Sequence, residues 1–170
     1  MLDVKVLILF VLSRILFPVD VDKLFELCYQ DDCLSYFDVC EAIPQMVETG
    51  HVREIAGAKA KKYEITEAGR EVASVMQDTV ATAVAQRAKA AADRFNRQIR
   101  RDSLMRTEVI TQENGESSVR MALDDETGQL MALELNTPTL RQARKLEKAF
   151  RKNAEKIYHA VMGVLLADEN

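Results

Sequence analysis

The sequence predicts an α+β protein, and three patterns predict it. Apolar residues recur at three- and four-residue spacing through most of residues 1–50 and again through 66–102. The stretch between, His51 to Arg70 (HVREIAGAKAKKYEITEAGR), reads as strand, tight turn, strand and helix start. After residue 103 the apolar spacing drops to two, in three runs separated by Asn114-Gly115 and Thr127-Gly128. With only 3 Pro and 6 Gly in 170 residues, long helices are favoured over a β-sandwich.

Leu2 to Phe17 is apolar except at Asp3, Lys5, Ser13 and Arg14, so a first helix there is buried on most of its surface. Pro18 ends it, because the residue before a proline avoids helical angles. Asp20 is placed to cap a second helix over Val21 to Gln30, with Val21, Leu24, Phe25 and Cys28 inward. Asp31 to Leu34 makes a turn. Ser35 and Asp38 have the spacing of a capping box and open a third helix, which runs to about Thr49 and exits at Gly50. Its inward stripe is expected to be Phe37, Cys40, Ile43 and Val47, which leaves Tyr36, Val39, Ala42, Gln45 and Thr49 outward.

In the hairpin, Val52 and Ile55 precede the turn, and Tyr63 and Ile65 follow it. Gly57 is expected to supply a positive φ at the turn. Thr66 can cap the next helix, and Gly69 lets that helix pack closely. Thr66 to about Asp102 reads as one helix with an apolar stripe at Val72, Met76, Val80, Val84, Ala88, Ala91, Phe95 and Ile99. The stripe advances about 3.9 residues per step, not the ~3.5 of a left-handed coiled coil. The helix is therefore expected to pack on several neighbours or to change direction in the Ala-rich part, Ala81 to Ala92.

Val109 and Thr111, then Val119, Met121 and Leu123, then Met131, Leu133 and Leu135 form one face of a three-stranded antiparallel meander. Pro138 starts a last helix, whose stripe Leu140, Ala143, Phe150, Ala154, Ile157, Val161 and Leu165 can cover the sheet. The organisation is then residues 1–70, a long connecting helix over 71–103, and a sheet-and-helix module over 104–170. That module is small and is expected to need partner surface, for dimerisation, for sensing a small-molecule effector, or both.

Tyr63, Ile65, Thr66 and Gly69 match the Tyr-x-Ile/Leu-Thr-x-x-Gly ending of the wing in winged-helix domains. With three helices ahead and one behind, residues 1–70 resemble an N-terminal winged helix-turn-helix domain almost throughout. The whole chain is similar to a family of uncharacterised bacterial winged-helix proteins, distantly similar to PadR and MarR regulators. The resemblance implies a transcriptional regulator that binds double-stranded DNA as a homodimer, with its third helix in the major groove and its wing on phosphate. By position it implies that Tyr36 and Gln45 reach base edges or phosphates, and that Arg53, Lys59, Lys61 and Lys62 neutralise phosphate.

Net charge is −4, but it is segmented. Residues 1–50 carry 3 Lys/Arg and 9 Asp/Glu, 51–103 carry 11 and 7, 104–136 carry 2 and 7, and 137–170 carry 7 and 4. A polyanion should meet the middle segment first. The third helix holds Asp38, Glu41 and Glu48, no Lys or Arg, and an internal Pro44. This motivates an alternative, a protein-interaction module on the same scaffold that does not bind DNA. Arg87, Lys89, Arg94, Arg97, Arg100 and Arg101 form a second basic cluster, read as a solvated face or as partners of the acidic sheet. The seven Lys and Arg of the last helix read as a solvated face.

Cys28, Cys33, Cys40 and His51 do not have the spacing of a known zinc finger, so the cysteines read as packed thiols and no metal is expected. His159 reads as partly buried packing. No phosphate-cradling Gly loop, paired nucleophile and base, or His-x-x-x-His occurs, so neither an enzyme nor a cofactor is expected. Asp124, Asp125 and Glu126 read as a solvated acidic turn. An odd cysteine count fits a reduced compartment, and Val6 to Leu12 is too short to span a membrane. These features place the protein in the cytoplasm.

Overall fold

Seven consecutive buried residues, Val6 to Leu12, make helix α1 (Val4–Leu12) the axis around which the first part of the chain packs. The computed structural model of the protein describes residues 4–29, 34–57 and 60–167. The chain divides into two units, residues 1–98 and 99–170. Among the described residues no helix is long and apolar enough to cross a membrane.

In the first unit, α2 (Val21–Cys28), α3 (Tyr36–Glu48), the hairpin β1 (Val52–Ile55) and β2 (Lys62–Ile65), and α4 (Glu67–Met76) follow in order. The hairpin pairs antiparallel, with Val52 opposite Ile65. Helices α2, α3 and α4 and strand β2 all touch α1, so the run Val6 to Leu12, which has no polar residue, is covered, while Lys5 at its start stays exposed. Helices α2, α3 and α4 each have the predicted cap. Asp20 Oδ1 accepts from the Lys23 N–H at 2.8 Å. Ser35 and Asp38 bond reciprocally as a capping box, and Thr66 Oγ1 accepts from the Gly69 N–H at 3.2 Å. Gly50 leaves α3 at φ 75°, as expected.

Several expectations are corrected. Helix α1 stops at Leu12 rather than Phe17, because the Ser13 hydroxyl turns back onto the Phe10 carbonyl and Arg14 N–H onto Val11. This frees Val19 to pair with Tyr63 as an isolated antiparallel bridge, which the sequence reading missed. Helix α2 ends at Cys28, and the turn residues Asp31 to Cys33 lie outside the described residues. The inward face of α3 is Val39, Ala42, Ile43 and Met46, while Phe37 is 81% exposed. Gly57 does not have a positive φ. What it lacks is room, since a Cβ there would lie 2.2 Å from the Ala60 carbonyl oxygen.

The predicted long helix is two. Helix α4 ends at Met76, a 3-10 turn covers Gln77–Thr79, and α5 (Thr82–Ser103) starts after an extended Val80. Thr79 Oγ1 donates to the Met76 carbonyl at 2.6 Å, satisfying a carbonyl at the helix end. Val80 is buried, so the break inserts an apolar plug where a continuous helix would have carried past. The chain bends ahead of the Ala-rich stretch rather than within it. Ala88, Ala91 and Ala92 of α5 belong to the same core as α1, and Asn96 accepts from the Leu16 N–H at 2.9 Å and donates to the Arg14 carbonyl at 2.8 Å.

The second unit is the predicted meander, β3 (Met105–Thr111), β4 (Ser117–Asp124) and β5 (Gln129–Thr137), in the order β3-β4-β5. Gly115 and Gly128 take positive φ at its two turns. Helix α6 (Leu140–Leu166), capped by Thr139, lies on one face. Phe150, Ala143 and Ala154 meet Met105, Val119, Met121, Leu123 and Met131 in a separate core. Full burial of a side chain such as Phe150 contributes about 1.5–3 kcal/mol. Three members of the predicted α6 stripe, Leu140, Val161 and Leu165, are exposed, as is His159, whose ring meets that of Tyr158 at a tilt instead of packing inward.

Candidate nucleic-acid interface

The hairpin residues are placed by strand register. Side chains alternate along a strand, so Val52, Tyr63 and Ile65 point into the core and Arg53 and Lys62 point outward, while Glu54 shares the face of Val52 but lies exposed at its margin. Arg53 stands opposite Glu64 and forms an ion pair with it. Lys61 Nζ lies 3.0 Å from Glu54 Oε1, and that carboxylate, through its hydrogen bond and then its charge, holds the ammonium above its ordinary pKa. Lys62 is exposed and has no ion-pair partner among the described residues. Lys59 lies outside the described residues.

Two of the hairpin's cations are thus met by carboxylates of the same hairpin. Counting lysines along the sequence misses this, but pairing Val52 with Ile65 across the turn puts Arg53 against Glu64 at once. Both pairs are open to solvent, and the Arg53 and Lys61 side chains are each 68% exposed. Exposed pairs of this kind are worth about 0–1 kcal/mol. Exchanging either for a phosphate contact therefore costs little.

On α3, Tyr36 and Gln45 are exposed, as predicted, but the structure splits their company. Val39 and Ala42, expected outward, are buried, and the Thr49 hydroxyl is spent on the Gln45 carbonyl at 2.9 Å. The Tyr36 hydroxyl donates to Asp22 Oδ1 at 2.8 Å, and its ring meets Phe25 edge-on at 5.6 Å. The hydrogen bond to Asp22, then one to Cys40, pushes the phenol up to about 12. The exposed surface of α3 also carries Phe37, Asp38, Glu41, Pro44 and Glu48. Asp38 accepts from the Ser35 N–H and hydroxyl, which holds its carboxyl below the ordinary value.

In the second unit Arg101 donates to the Lys152 carbonyl at 2.9 Å and stands 3.7 Å from Glu155, so it meets α6 rather than the acidic sheet. The sheet's open face holds a shallow depression of about 490 Å³ floored by Ala122 and Ala132. Its rim is already paired, with Arg106 on Asp124 and Gln129 and Arg120 between Glu108 and Glu134. Asp125 is not simply solvated. Its carboxylate takes the Thr127 hydroxyl and N–H and the Gly128 N–H, which lowers its pKa.

Among the described residues no group of three or more His, Cys, Asp or Glu could hold a metal ion. Cys28 is buried, which pushes its thiol pKa up, and Cys40 is half-buried; Cys33 lies outside the described residues. The family model described as domain of unknown function DUF4364 matches residues 4–165, so the chain belongs to that family. No curated protein and no solved structure matches it.

Proposed function

We propose that this member of the DUF4364 family is a DNA-binding transcriptional regulator that works as a homodimer, with residues 1–70 serving as a winged helix-turn-helix domain. The observation that carries the reading is the hairpin's attachment. Three helices precede it, Tyr63 ties its second strand to Val19 between the first two helices, and Thr66 and Gly69 turn it directly into α4. Such a mount holds a basic hairpin steady beside the end of α3. The hairpin then supplies phosphate contacts from Arg53, Lys61 and Lys62, with Lys59 contributing by its place in the sequence, while Tyr36 and Gln45 face out from α3.

The dimer contact is assigned to the end of α6. Val161, Met162, Val164, Leu165 and Leu166 are exposed on successive turns, Val164 at 71% and Leu165 at 67%. No charged residue lies between Lys156 and Ala167. An uncharged apolar helix end is self-complementary, as a two-fold contact between identical chains requires.

A second reading, a protein-interaction module, is favoured by one observation. The exposed face of α3 is acidic and carries Phe37 without cover among the described residues, which suits a protein surface better than phosphate. Affinity for bulk duplex DNA at low salt separates the two. The regulator reading expects binding that weakens steeply with salt and drops about tenfold or more in the variant Lys59→Ala/Lys61→Ala/Lys62→Ala, whereas an interaction module has no such binding to lose.

A further inference from the structure

Helix α6 carries seven Lys and Arg and only two carboxylates, Glu147 and Glu155. Five of the cations, Arg141, Lys145, Lys148, Lys152 and Lys156, fall three or four residues apart and so share one face. They follow at about 4.5–6 Å along the axis and span about 22 Å. The face lies opposite Ala143, Phe150 and Ala154, which bury the other side of the helix on the sheet. All five are exposed, and none has an ion-pair partner among the described residues.

Both carboxylates are engaged by groups outside the row, Glu147 off its face and Glu155 at its flank. Glu147 is half-buried, accepts from the Thr107 hydroxyl at 2.9 Å and pairs with Arg144 at 3.7 Å. Glu155 is paired with Arg101, which also donates to the Lys152 carbonyl, so that carboxylate and guanidinium offset each other and leave the charge of the row unchanged. Solvated helices usually mix signs at four-residue spacing, because like charges there repel. This helix stacks Arg141 on Lys145, Lys148 on Lys152 and Lys152 on Lys156, a repulsion that no ion pair of these five cations among the described residues relieves. The hairpin, by contrast, neutralises Arg53 and Lys61 internally.

We propose that this row is a phosphate-backbone track for duplex DNA, and that it supplies more of the chain's salt-dependent affinity than the hairpin does. The inference rests on the DNA-binding reading above. Charge complementarity selects a polyanion, and two features select nucleic acid over an anionic membrane. Between Arg141 and Lys156 the row has no large apolar residue interleaved on its face and the opposite side of the helix is occupied by the sheet, while the exposed apolar end, Val161 to Leu166, lies beyond the row and is assigned above to the dimer contact. With no aromatic side chain in the row, base stacking has no platform, and the contact is to backbone and independent of sequence.

The test is a titration of a labelled random-sequence duplex with the full chain between about 50 and 200 mM salt. The variants are Arg141→Gln/Lys145→Gln/Lys148→Gln/Lys152→Gln, the single Lys148→Gln, the charge-keeping Lys145→Arg/Lys148→Arg/Lys152→Arg, and Lys61→Gln/Lys62→Gln. Each lost contact lowers the magnitude of the log–log salt slope by about 0.9, so the quadruple variant should lose about 3–4 and the single one about 0.9. The charge-keeping variant should match the parent, and the hairpin variant should lose less than the quadruple one. If the parent binds duplex and both glutamine variants of α6 keep its slope, the track is wrong and the regulator reading stands. If the parent fails to bind duplex at all, the regulator reading itself fails and takes the track with it. If the quadruple variant keeps its duplex affinity but loses affinity for phosphatidylserine vesicles, the surface belongs to a membrane and the proposal is overturned.

Discussion

Val19 and Tyr63 exchange two backbone hydrogen bonds, Val19 N–H to Tyr63 O at 3.1 Å and Tyr63 N–H to Val19 O at 2.7 Å. The link between α1 and α2 thereby becomes a third strand for the hairpin at a single position. Both side chains are buried, so the bridge is fixed by packing as well as by hydrogen bonds. Tyr63→Ala should lower stability by about 3 kcal/mol, from the cavity it leaves. Urea unfolding reads this, and limited proteolysis should cut first in the hairpin.

Two glycines on helices should respond in opposite directions. A Cβ on Gly69 would lie 2.2 Å from the His51 carbonyl oxygen and 2.8 Å from Ile65 Cγ1. Gly69→Ala must push α4 away from the hairpin and should cost about 1–3 kcal/mol. Gly163 in α6 has nothing within 4 Å of the same position, so Gly163→Ala should raise stability by about 0.5–1 kcal/mol through helix propensity. Thermal unfolding of the two single variants gives the comparison.

Ser117 Oγ is buried without a hydrogen-bond partner among the described residues, at the start of β4. Its desolvation is uncompensated, so Ser117→Ala should be neutral or stabilising by up to about 1 kcal/mol. A loss above that, measured by chemical denaturation, would mean the hydroxyl has a partner in solution.

Asp38 and Asp125 both have folded pKa values held below the unfolded value by hydrogen bonds to their carboxylates. Between the folded and unfolded values the unfolded chain binds more protons, so stability rises with pH there. The contribution is fully present above about pH 4 and is lost as pH falls through the folded values. Asp38→Asn should flatten the acid side of the stability–pH profile, read by guanidinium midpoints at about pH 2–5.

The apolar end of α6 predicts its own effect on assembly. Leu165→Glu should shift sedimentation toward monomer while leaving the far-ultraviolet circular dichroism unchanged, because Leu165 has little packing within its own chain to lose.

Local chemistry was the part of the fold most legible in the sequence. The caps at Asp20, Ser35 and Thr66, the hairpin, the glycine exits and the meander all depend on residues within a few positions of one another. What misled was phase and continuity. On α3, Phe37 to Val47 is as apolar as Val39 to Met46, and only the placement of α1 and α2 decides which face turns in. The break before Val80 buries that side chain in the core shared with α1, and contact with so distant a helix is not written in the α4–α5 sequence. At the candidate site, exposure of Tyr36, Gln45, Lys61 and Lys62 was legible, but the pairing of Arg53 and Lys61 required strand register. The row on α6 was visible as a run of cations. That its carboxylates are drawn elsewhere follows only from Thr107 and Arg101 reaching Glu147 and Glu155.

Burial of seven consecutive residues of α1, Val6 to Leu12, has a consequence for biosynthesis. Most of its cover comes from α2, α3, β2 and α4, all translated after it, the last of these ending at Met76 and followed by the α5 residues that close the same core. At roughly 5–20 residues per second, a greasy segment stays naked on the ribosome for on the order of several seconds. Nascent chains of this protein should therefore engage a holdase until α4 emerges, and polar substitutions in Val6 to Leu12 should shorten that engagement even as they weaken the finished fold.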